Sequence, residues 1–199
     1  MNKLNLLMVV MVVMVVTFVS GCAESSALIR RSSTSVRADV FKELTDGGTV
    51  PQDYADLRIA FSLKTHKPGI YSARDIHGTP EYKLLVNIDG QVIQLQGGLS
   101  EENTEQTALR NPEAGEGIRY RFNSNLRLKA GTHRIVIAIP ADGLAEAQEI
   151  TLTEGSSNSL VLEPVYKTIS RKQRPGFYGV TRFTEGLKGF RMVLNGKEM

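Results

Sequence analysis

The stretch LLVNIDGQVIQL, residues 84–95, decides the fold because it predicts two short strands and the turn between them. Alternation of apolar with other residues is typical of a strand that buries one face. Asp89 and Gly90 divide the stretch and are residue types that a tight hairpin turn favours. The stretch therefore predicts a β-hairpin, with apolar positions at Leu84, Val86, Ile88, Val92, Ile93 and Leu95.

The same pattern with period two continues on both sides of this hairpin. We expect about nine short strands in all, separated by turn residues every eight to twelve positions. Many short antiparallel strands with little helix are typical of two packed sheets. The predicted fold class is therefore mostly β, an Ig-like antiparallel β-sandwich. The further segments with this pattern are 57–63, 118–122, 126–128, 133–139, 150–152, 160–162, 177–183 and 190–194.

One short helix is expected in the long connection between two of these strands. Residues 100–110 read SEENTEQTALR, with Ser100 as the N-cap and acidic residues in the first turn. Asn111 and Pro112 follow and would stop a helix. The sequence therefore predicts a helix at 100–110.

The N-terminal residues have the layout of an export signal. Lys3 precedes an apolar run at 4–19 that is shorter than a bilayer-spanning helix, and the small residues Ser20 and Gly21 follow the run. Cys22, the only cysteine of the chain, comes next. A lone free thiol in an oxidising compartment is prone to oxidation or unwanted pairing. We therefore expect a modification to consume it.

The sequence VSGC at 19–22 resembles the lipobox of bacterial lipoproteins, in which a branched apolar residue and two small residues precede an invariant cysteine. Val19 stands where the family usually has leucine. The resemblance implies cleavage after Gly21, a lipid on the Cys22 sulfur and acylation of the new amino terminus. Ala23 replaces the aspartate that retains such proteins at the inner membrane, which implies the outer membrane. The alternative is an ordinary cleaved signal with an incidental cysteine.

These motifs divide the chain into three parts. Residues 1–21 form the predicted lipoprotein signal peptide, residues 22–50 the lipidated cysteine with a flexible tether, and residues 51–199 the β-sandwich domain. The tether is predicted because residues 23–39 are rich in serine and arginine and poor in large apolar side chains. A C-terminal hairpin at 176–199 is a candidate extension of the domain.

Three segments carry a second resemblance: VNIDG at 86–90, LRLKAGTHRIVI at 126–137 and ITLTEGSSNSLVLEP at 150–164. They resemble the PEGA family of small β-domains in bacterial envelope proteins, the first as a strand that ends in Asp-Gly and the last as a closing hairpin. The resemblance covers part of the sequence between 86 and 164 and implies a β-domain. Lys129 and the long connection at 97–117 depart from the family's pattern.

The charge balance excludes one class of partner. The net charge of +3 includes Lys3 in the predicted signal peptide, so the excess of positive charge on the rest of the chain is small. Such an excess is not the electrostatic footprint of a nucleic-acid-binding protein, and an exported protein would seldom meet nucleic acid. We expect no nucleic-acid partner and no cofactor.

Histidines are the candidates for a metal or acid–base site. His66, His77 and His133 lack the i, i+4 pairing and the HExxH arrangement of zinc sites on helices. Asp75 and His77 lie in a predicted loop at 67–80, from which they could meet His66; the alternative is that they are turn-stabilising polar residues. His133 falls on the apolar register of its strand, which predicts a partly buried, hydrogen-bonded side chain rather than a metal ligand. We therefore expect neither a metal site nor catalytic residues.

Two charged clusters remain. The acidic cluster lacks the Asp/Asn alternation and the glycine of a calcium loop, so we expect a solvated helix and loop there. Its members are Glu101, Glu102, Glu105, Glu113 and Glu116.

The basic cluster is a candidate binding patch for an anionic glycan, a lipid headgroup or a partner protein, since cations beside aromatic rings suit such ligands. The alternative is a strand edge whose charges hinder aggregation. The patch consists of Arg171, Lys172, Arg174, Phe177, Tyr178 and Arg182.

The sequence thus predicts an outer-membrane lipoprotein that faces the periplasm and has a non-enzymatic binding or structural role. Its expected partners are the bilayer, through acylated Cys22, and an envelope protein or anionic glycan. A carrier or chaperone of an envelope ligand is one alternative, which needs an apolar cavity between the sheets. A hydrolase is the other, which needs convergent histidine and carboxylate groups. The sequence has no GxSxG elbow and no phosphate-binding glycine loop to support an enzyme.

Overall fold

The computed structural model describes residues 24–45, 48–70, 72–105, 111–167 and 182–199. Within them the chain forms a mostly β fold of two packed sheets, which confirms the predicted β-sandwich. The Ig-like designation stays a prediction. The strands are β1 (Phe41–Glu43), β2 (Tyr54–Thr65), β3 (Lys83–Ile88), β4 (Gln91–Gln96), β5 (Gly98–Thr104), β6 (Gly115–Lys129), β7 (Gly131–Ile139), β8 (Leu144–Leu152), β9 (Ser157–Tyr166), β10 (Leu187–Leu194) and β11 (Lys197–Glu198).

The strands divide into a large sheet of seven and a small sheet of four. The order in the large sheet is β1-β6-β2-β9-β10-β11, with β5 beside β6, and the order in the small sheet is β4-β3-β7-β8. The named strand pairs of the described residues are antiparallel except for β2 and β9, which pair in parallel. β6 is the long central strand, because it pairs with β2 on one edge and with both β1 and β5 on the other.

The closing hairpin expected at 150–164 is wrong. β8 belongs to the small sheet and β9 to the large one, so this segment carries the chain across the core from one sheet to the other. Apolar and polar residues alternate along both strands, as they would in a hairpin, because each strand buries one face in the shared core. Period two identifies a strand and its buried face but not its neighbour.

The core lies between the inner faces of the two sheets. Alternate residues of β2 are buried, as the sequence pattern predicts, and the ring of Phe61 at its centre packs on Phe122 and Phe190 with centroid separations of 6.2 Å and 6.0 Å. The apolar alternation therefore identified the inner faces correctly. The residues of β2, β3 and β7 in the core cluster are Ala55, Leu57, Ile59, Phe61, Leu63, Leu84, Val86, Ile88, Ile135, Ile137 and Ile139.

The hairpin of β3 and β4 forms as predicted. Asp89 and Gly90 have φ values of 47° and 93°, and a two-residue turn of type I′ requires positive φ at both positions. The Asp89 carboxylate also ties the turn to β7, since it accepts a hydrogen bond from the Arg134 backbone N–H at 2.8 Å and pairs with His133 Nδ1 at 2.7 Å. His133 is buried and its Nε2 contacts the Lys129 carbonyl at 2.8 Å, which confirms the predicted hydrogen-bonded histidine.

The helix expected at 100–110 is wrong over its described part. Residues 98–104 form β5, in which Ser100 pairs with Arg119 of β6, and residues 106–110 lie outside the described part of the chain. β5 is an edge strand with mostly exposed side chains, so its sequence lacks the apolar alternation that identifies buried strands. Backbone pairing with β6, which a polar sequence does not reveal, outweighs the local helix signals.

The predicted tether also differs from the structure. Residues 24–32 form a helix, α1, and Phe41 in β1 is buried in the core. The Gln91 side chain holds this segment, because its Oε1 accepts from the backbone N–H groups of Val40 at 2.7 Å and Phe41 at 3.0 Å while its Nε2 donates to the Phe41 carbonyl at 3.0 Å. The sandwich therefore begins before residue 51. Across the described ranges, no helix has the length and apolar character that a bilayer crossing requires.

The inner face of β2 generates a stability prediction. Leu57→Ala should destabilise the protein by about 2–5 kcal/mol, because the leucine is fully buried and its removal leaves a cavity. Leu99→Ala, on exposed edge strand β5, should change the free energy of unfolding by less than about 0.5 kcal/mol. Urea unfolding followed by circular dichroism measures both. Equal losses in the two variants would contradict the placement of the core.

Candidate functional site

Two histidines and an aspartate converge at one end of the sandwich, where β2 ends and the loop at 72–82 leads into β3. His66 Nε2 lies 2.5 Å from Asp75 Oδ2, and His77 Nδ1 lies 2.6 Å from Asp75 Oδ1. The ring centroids of the two histidines are 4.8 Å apart. One carboxylate therefore bridges two neighbouring imidazoles.

The network continues from His77 into the small sheet. His77 Nε2 lies 3.3 Å from Asp142 Oδ1, and the Tyr82 hydroxyl donates a 2.6 Å hydrogen bond to Asp142 Oδ2. Asp142 ends the 3₁₀ turn Pro140–Asp142, which follows β7 directly. We call these five residues, His66, Asp75, His77, Tyr82 and Asp142, the histidine cluster.

The loop that carries Asp75 and His77 is folded back on the end of β2. Gly78 permits this close approach, since it has a φ of 75° and a Cβ there would lie 2.6 Å from Pro68 Cδ and 2.9 Å from the His66 carbonyl oxygen. The Asp75 carboxylate also accepts a 3.0 Å hydrogen bond from the His77 backbone N–H. Gly78 and this hydrogen bond within the loop together place the side chains of Asp75 and His77 against His66.

The side chains of the histidine cluster are largely withdrawn from solvent. The exposed fractions are 9% for His66, 11% for Asp75 and 20% for His77. Burial opposes ionisation of Asp75, but hydrogen bonds from His66 and His77 outweigh it and hold the pKa of Asp75 at about 2. The hydrogen bond to Asp142 raises the pKa of His77 despite its burial. Burial, together with Asp142, raises the pKa of Tyr82 well above its usual value.

The arrangement offers nitrogen and oxygen ligand atoms that all point to one place. One ligand atom each from His66, Asp75 and His77 lies within 4.8 Å of the other two. The sequence singled out these three residues, but it gave no signal for Tyr82 or Asp142. An aspartate after a strand end is common in turns, so only the fold could show that these two residues meet His77.

Four of the five acidic residues named from the sequence lie in ion pairs. The Arg119 guanidinium bonds both Glu102 and Glu113, with the shortest distances 2.7 Å and 2.6 Å, and Lys67 Nζ contacts Glu101 at 3.0 Å and Glu116 at 2.7 Å. These carboxylates are neutralised by fixed cations. They form an ion-pair network across β5 and β6, rather than the solvated helix and loop that the sequence predicted.

Lys64 is a buried cation that the sequence pattern placed on the solvated face of β2. Its Nζ donates to the carbonyls of Gly115 at 2.6 Å and Glu113 at 3.0 Å and to Thr104 Oγ1 at 3.0 Å. Burial lowers the pKa of Lys64. Phe183 covers the ammonium, with its ring centroid 5.8 Å from Nζ. Lys64 therefore links β2 to the chain that enters β6.

The predicted lipidation site and most of the basic patch lie outside the described residues. These are Cys22, Arg171, Lys172, Arg174, Phe177 and Tyr178. Arg182 is described, is exposed and forms an isolated parallel bridge with Glu116. The Arg182 backbone thus lies at the start of β6, beside the ion-pair network.

A cavity of about 500 Å³ lies between α1 and the outer face of the small sheet. Three arginines line it, Arg31 from α1, Arg37 from the segment that follows and Arg134 from β7. Asn87 of β3 lies in the same wall, and its Nδ2 donates to the Ser32 carbonyl at 3.1 Å. α1 is therefore docked on the small sheet beside a cavity that three arginines and Asp89 line.

Comparisons with protein-family profiles, with curated proteins and with solved structures found no match for this chain.

The fold of the 72–82 loop generates a prediction at Gly78. Gly78→Ala should destabilise the protein by about 2 kcal/mol or more, because a Cβ clash with Pro68 and the His66 carbonyl adds to the strain of a positive φ. Gly155→Ala is the matched control. Gly155 has a φ of 69° and open space around its Cβ position, so that variant should lose only about 1 kcal/mol. Thermal unfolding measures both, and equal losses would refute the close approach.

The pair of Glu102 and Arg119 generates a pH prediction. Hydrogen bonds from Arg119 hold the pKa of Glu102 at about 2, below the unfolded value of about 4.3. This carboxylate therefore stabilises the fold above the unfolded pKa, and the contribution is lost as the pH falls toward 2. Between these pH values the free energy of unfolding of the unmodified protein falls with decreasing pH. In Glu102→Gln that fall should be smaller by up to about 1.4 kcal/mol per pH unit.

Urea unfolding at pH 7, 4 and 3 tests this expectation. Glu101→Gln is the control, since the Glu101 side chain is 71% exposed and its ion-pair partner in the described part of the chain is Lys67. An acid dependence in Glu102→Gln as steep as that of the unmodified protein would be inconsistent with the depressed pKa.

Proposed function

We propose that this protein is a bacterial envelope lipoprotein, anchored in the outer membrane through acylated Cys22, whose β-sandwich faces the periplasm in a non-enzymatic binding or structural role. The lipobox-like VSGC at 19–22 is the observation that carries the anchor. An acylated cysteine with two or more chains binds a bilayer stably, whereas a single chain binds only marginally.

The position of α1 supports this proposal. The described part of the helix starts at residue 24, two positions along the chain from Cys22, and it is docked on the small sheet through Ser32 and Asn87. A lipid at Cys22 would therefore hold the outer face of the small sheet close to the membrane. Arg31 and Arg134 in the adjoining cavity suit contact with anionic headgroups there.

The filled core supports a binding or structural role over that of a carrier. Side chains from both sheets form one contiguous buried cluster, from Val40 at one end of the sequence to Met192 at the other. An apolar ligand would have to displace these side chains, at a cost that close packing makes large. The outer surfaces of the sandwich, where Arg182 is exposed, are therefore the surfaces that we propose bind a partner protein or an anionic glycan.

A hydrolase is the second candidate, and the histidine cluster is the observation that favours it. His66, Asp75 and His77 converge as an acid–base site would. The buried side chains weigh against it, because a substrate must reach within about 3 Å of the group that transfers a proton. Binding without catalysis fits this geometry better.

Replacement of Cys22 tests the anchor. The full-length protein should fractionate with the outer membrane, and mass spectrometry should find Cys22 as an acylated N-terminal residue. Cys22→Ser should abolish acylation and leave the protein outside the outer-membrane fraction, since serine offers no thiol to modify. The control is Ser33→Ala, at an exposed position directly after α1, which should leave fractionation unchanged.

An unmodified thiol at Cys22 in native protein, recovered in the soluble fraction, would overturn the lipoprotein proposal. Recovery of Cys22→Ser in the outer-membrane fraction to the same extent as the unmodified protein would also contradict it.

A further inference from the structure

We propose that His66, Asp75 and His77 form a binding site for a divalent transition-metal ion of the zinc type, with Asp142 and Tyr82 holding His77 in the orientation that binding requires. The proposal goes beyond the lipid anchor and does not depend on it. It rests on the convergence of the three side chains, on the hydrogen bonds that orient them and on the chemistry of their ligand atoms.

The convergence comes from two separate parts of the chain. His66 follows the last residue of β2, whereas Asp75 and His77 come from the loop that folds back through Gly78. The three ligand atoms lie within 4.8 Å of one another, and the imidazole centroids are 4.8 Å apart. Two imidazoles and a carboxylate, all largely buried, thus surround one point.

The hydrogen bonds around His77 match those of metal-binding histidines. A metal-bound imidazole characteristically donates its second N–H to a carboxylate, which fixes its tautomer and orientation. His77 Nδ1 points to Asp75, while Nε2 points to Asp142 at 3.3 Å. Tyr82 in turn fixes Asp142 through a 2.6 Å hydrogen bond. With a metal on Nδ1, Asp142 is the carboxylate that receives the other N–H.

The spacing of the ligand atoms requires an adjustment that side-chain rotation can supply. In a tetrahedral zinc site with bonds of about 2.0–2.1 Å, neighbouring ligand atoms lie roughly 3.3 Å apart. His66 Nε2 and His77 Nδ1 lie 2.5 Å and 2.6 Å from the Asp75 oxygens. To admit the ion in place of the protons between these atoms, the two histidine–aspartate distances would lengthen by less than about 1 Å, and ligand atoms as far apart as 4.8 Å would approach each other by about 1.5 Å.

The ligand atoms also select the kind of ion. Imidazole nitrogen with one carboxylate suits zinc and its neighbours in the first transition row. Calcium and magnesium take oxygen ligands, in larger number than this cluster provides. Three protein ligands leave a fourth tetrahedral position for water or another small ligand.

Metal titration of the full-length chain tests the site. The protein, purified in detergent without a polyhistidine tag and stripped with a chelator, is titrated with ZnCl₂ in a calorimeter. In parallel it is titrated with CoCl₂ while the visible spectrum is recorded. We expect one equivalent of Zn²⁺ per chain, the intense visible bands of four-coordinate Co²⁺, and no comparable binding of Ca²⁺ or Mg²⁺.

Four variants locate the ion. His66→Gln and His77→Gln should each weaken Zn²⁺ binding by more than about 100-fold, and Tyr82→Phe, which keeps the ring and removes the bond to Asp142, by about 10-fold. His133→Gln is the matched control, because His133 is also buried and paired with a carboxylate but lies outside the cluster. The Zn²⁺ affinity of His133→Gln should equal that of the unmodified protein.

Several outcomes would overturn the proposal. They are the absence of Zn²⁺ binding by the unmodified protein, a Co²⁺ spectrum without four-coordinate bands, and Zn²⁺ affinities of His66→Gln and His77→Gln equal to that of the unmodified protein. Where a glutamine variant fails to fold, the Co²⁺ spectrum of the unmodified protein and the affinity of Tyr82→Phe still decide. None of these results bears on the acylation of Cys22, so the two proposals fail separately.

Discussion

Burial of the inner faces of the two sheets against each other is the interaction that holds the fold together. β2 and β6 cross the large sheet side by side, and β3 and β7 oppose them in the small sheet. Because β2 and β7 bury their apolar faces in the same core, β2 brings His66 and β7 brings Asp142 to the same end of it. The polar network there depends on strand length as much as on the loop that completes it.

Burial also explains how much of the fold the sequence could predict. Period two identified the strands whose one face is apolar, and the Asp89 and Gly90 turn fixed the register of the first hairpin. β5 escaped this test, since an edge strand with exposed polar side chains has no apolar alternation. The periodicity also could not predict to which of the two sheets each strand belongs. β8 and β9 alternate like hairpin partners yet lie on opposite sides of the core, a choice made by the tertiary packing.

The candidate site was predictable in its members but not in its assembly. His66, Asp75 and His77 could be named because few residue types bind metals or transfer protons. Whether they meet depends on Gly78, whose positive φ returns the loop to the end of β2. The sequence around Tyr82 indicates an aromatic residue of the core, and the sequence around Asp142 indicates a turn residue, so neither could be assigned to the site. The burial of Lys64 could not be predicted for a related reason. Strand alternation predicts which side of the sheet a side chain lies on, but it does not predict that another part of the chain covers that side chain.

The attachment of the N-terminal segment by Gln91 has a consequence for how the protein can be shortened. A chain cut at the expected domain boundary of residue 51 would lose Phe41 from the core and would uncover the stretch of β6 that pairs with β1. Unpaired backbone at a sheet edge recruits other strands, so the shortened protein would be prone to self-association. Recombinant versions that omit the lipid signal should therefore retain α1 and everything after it.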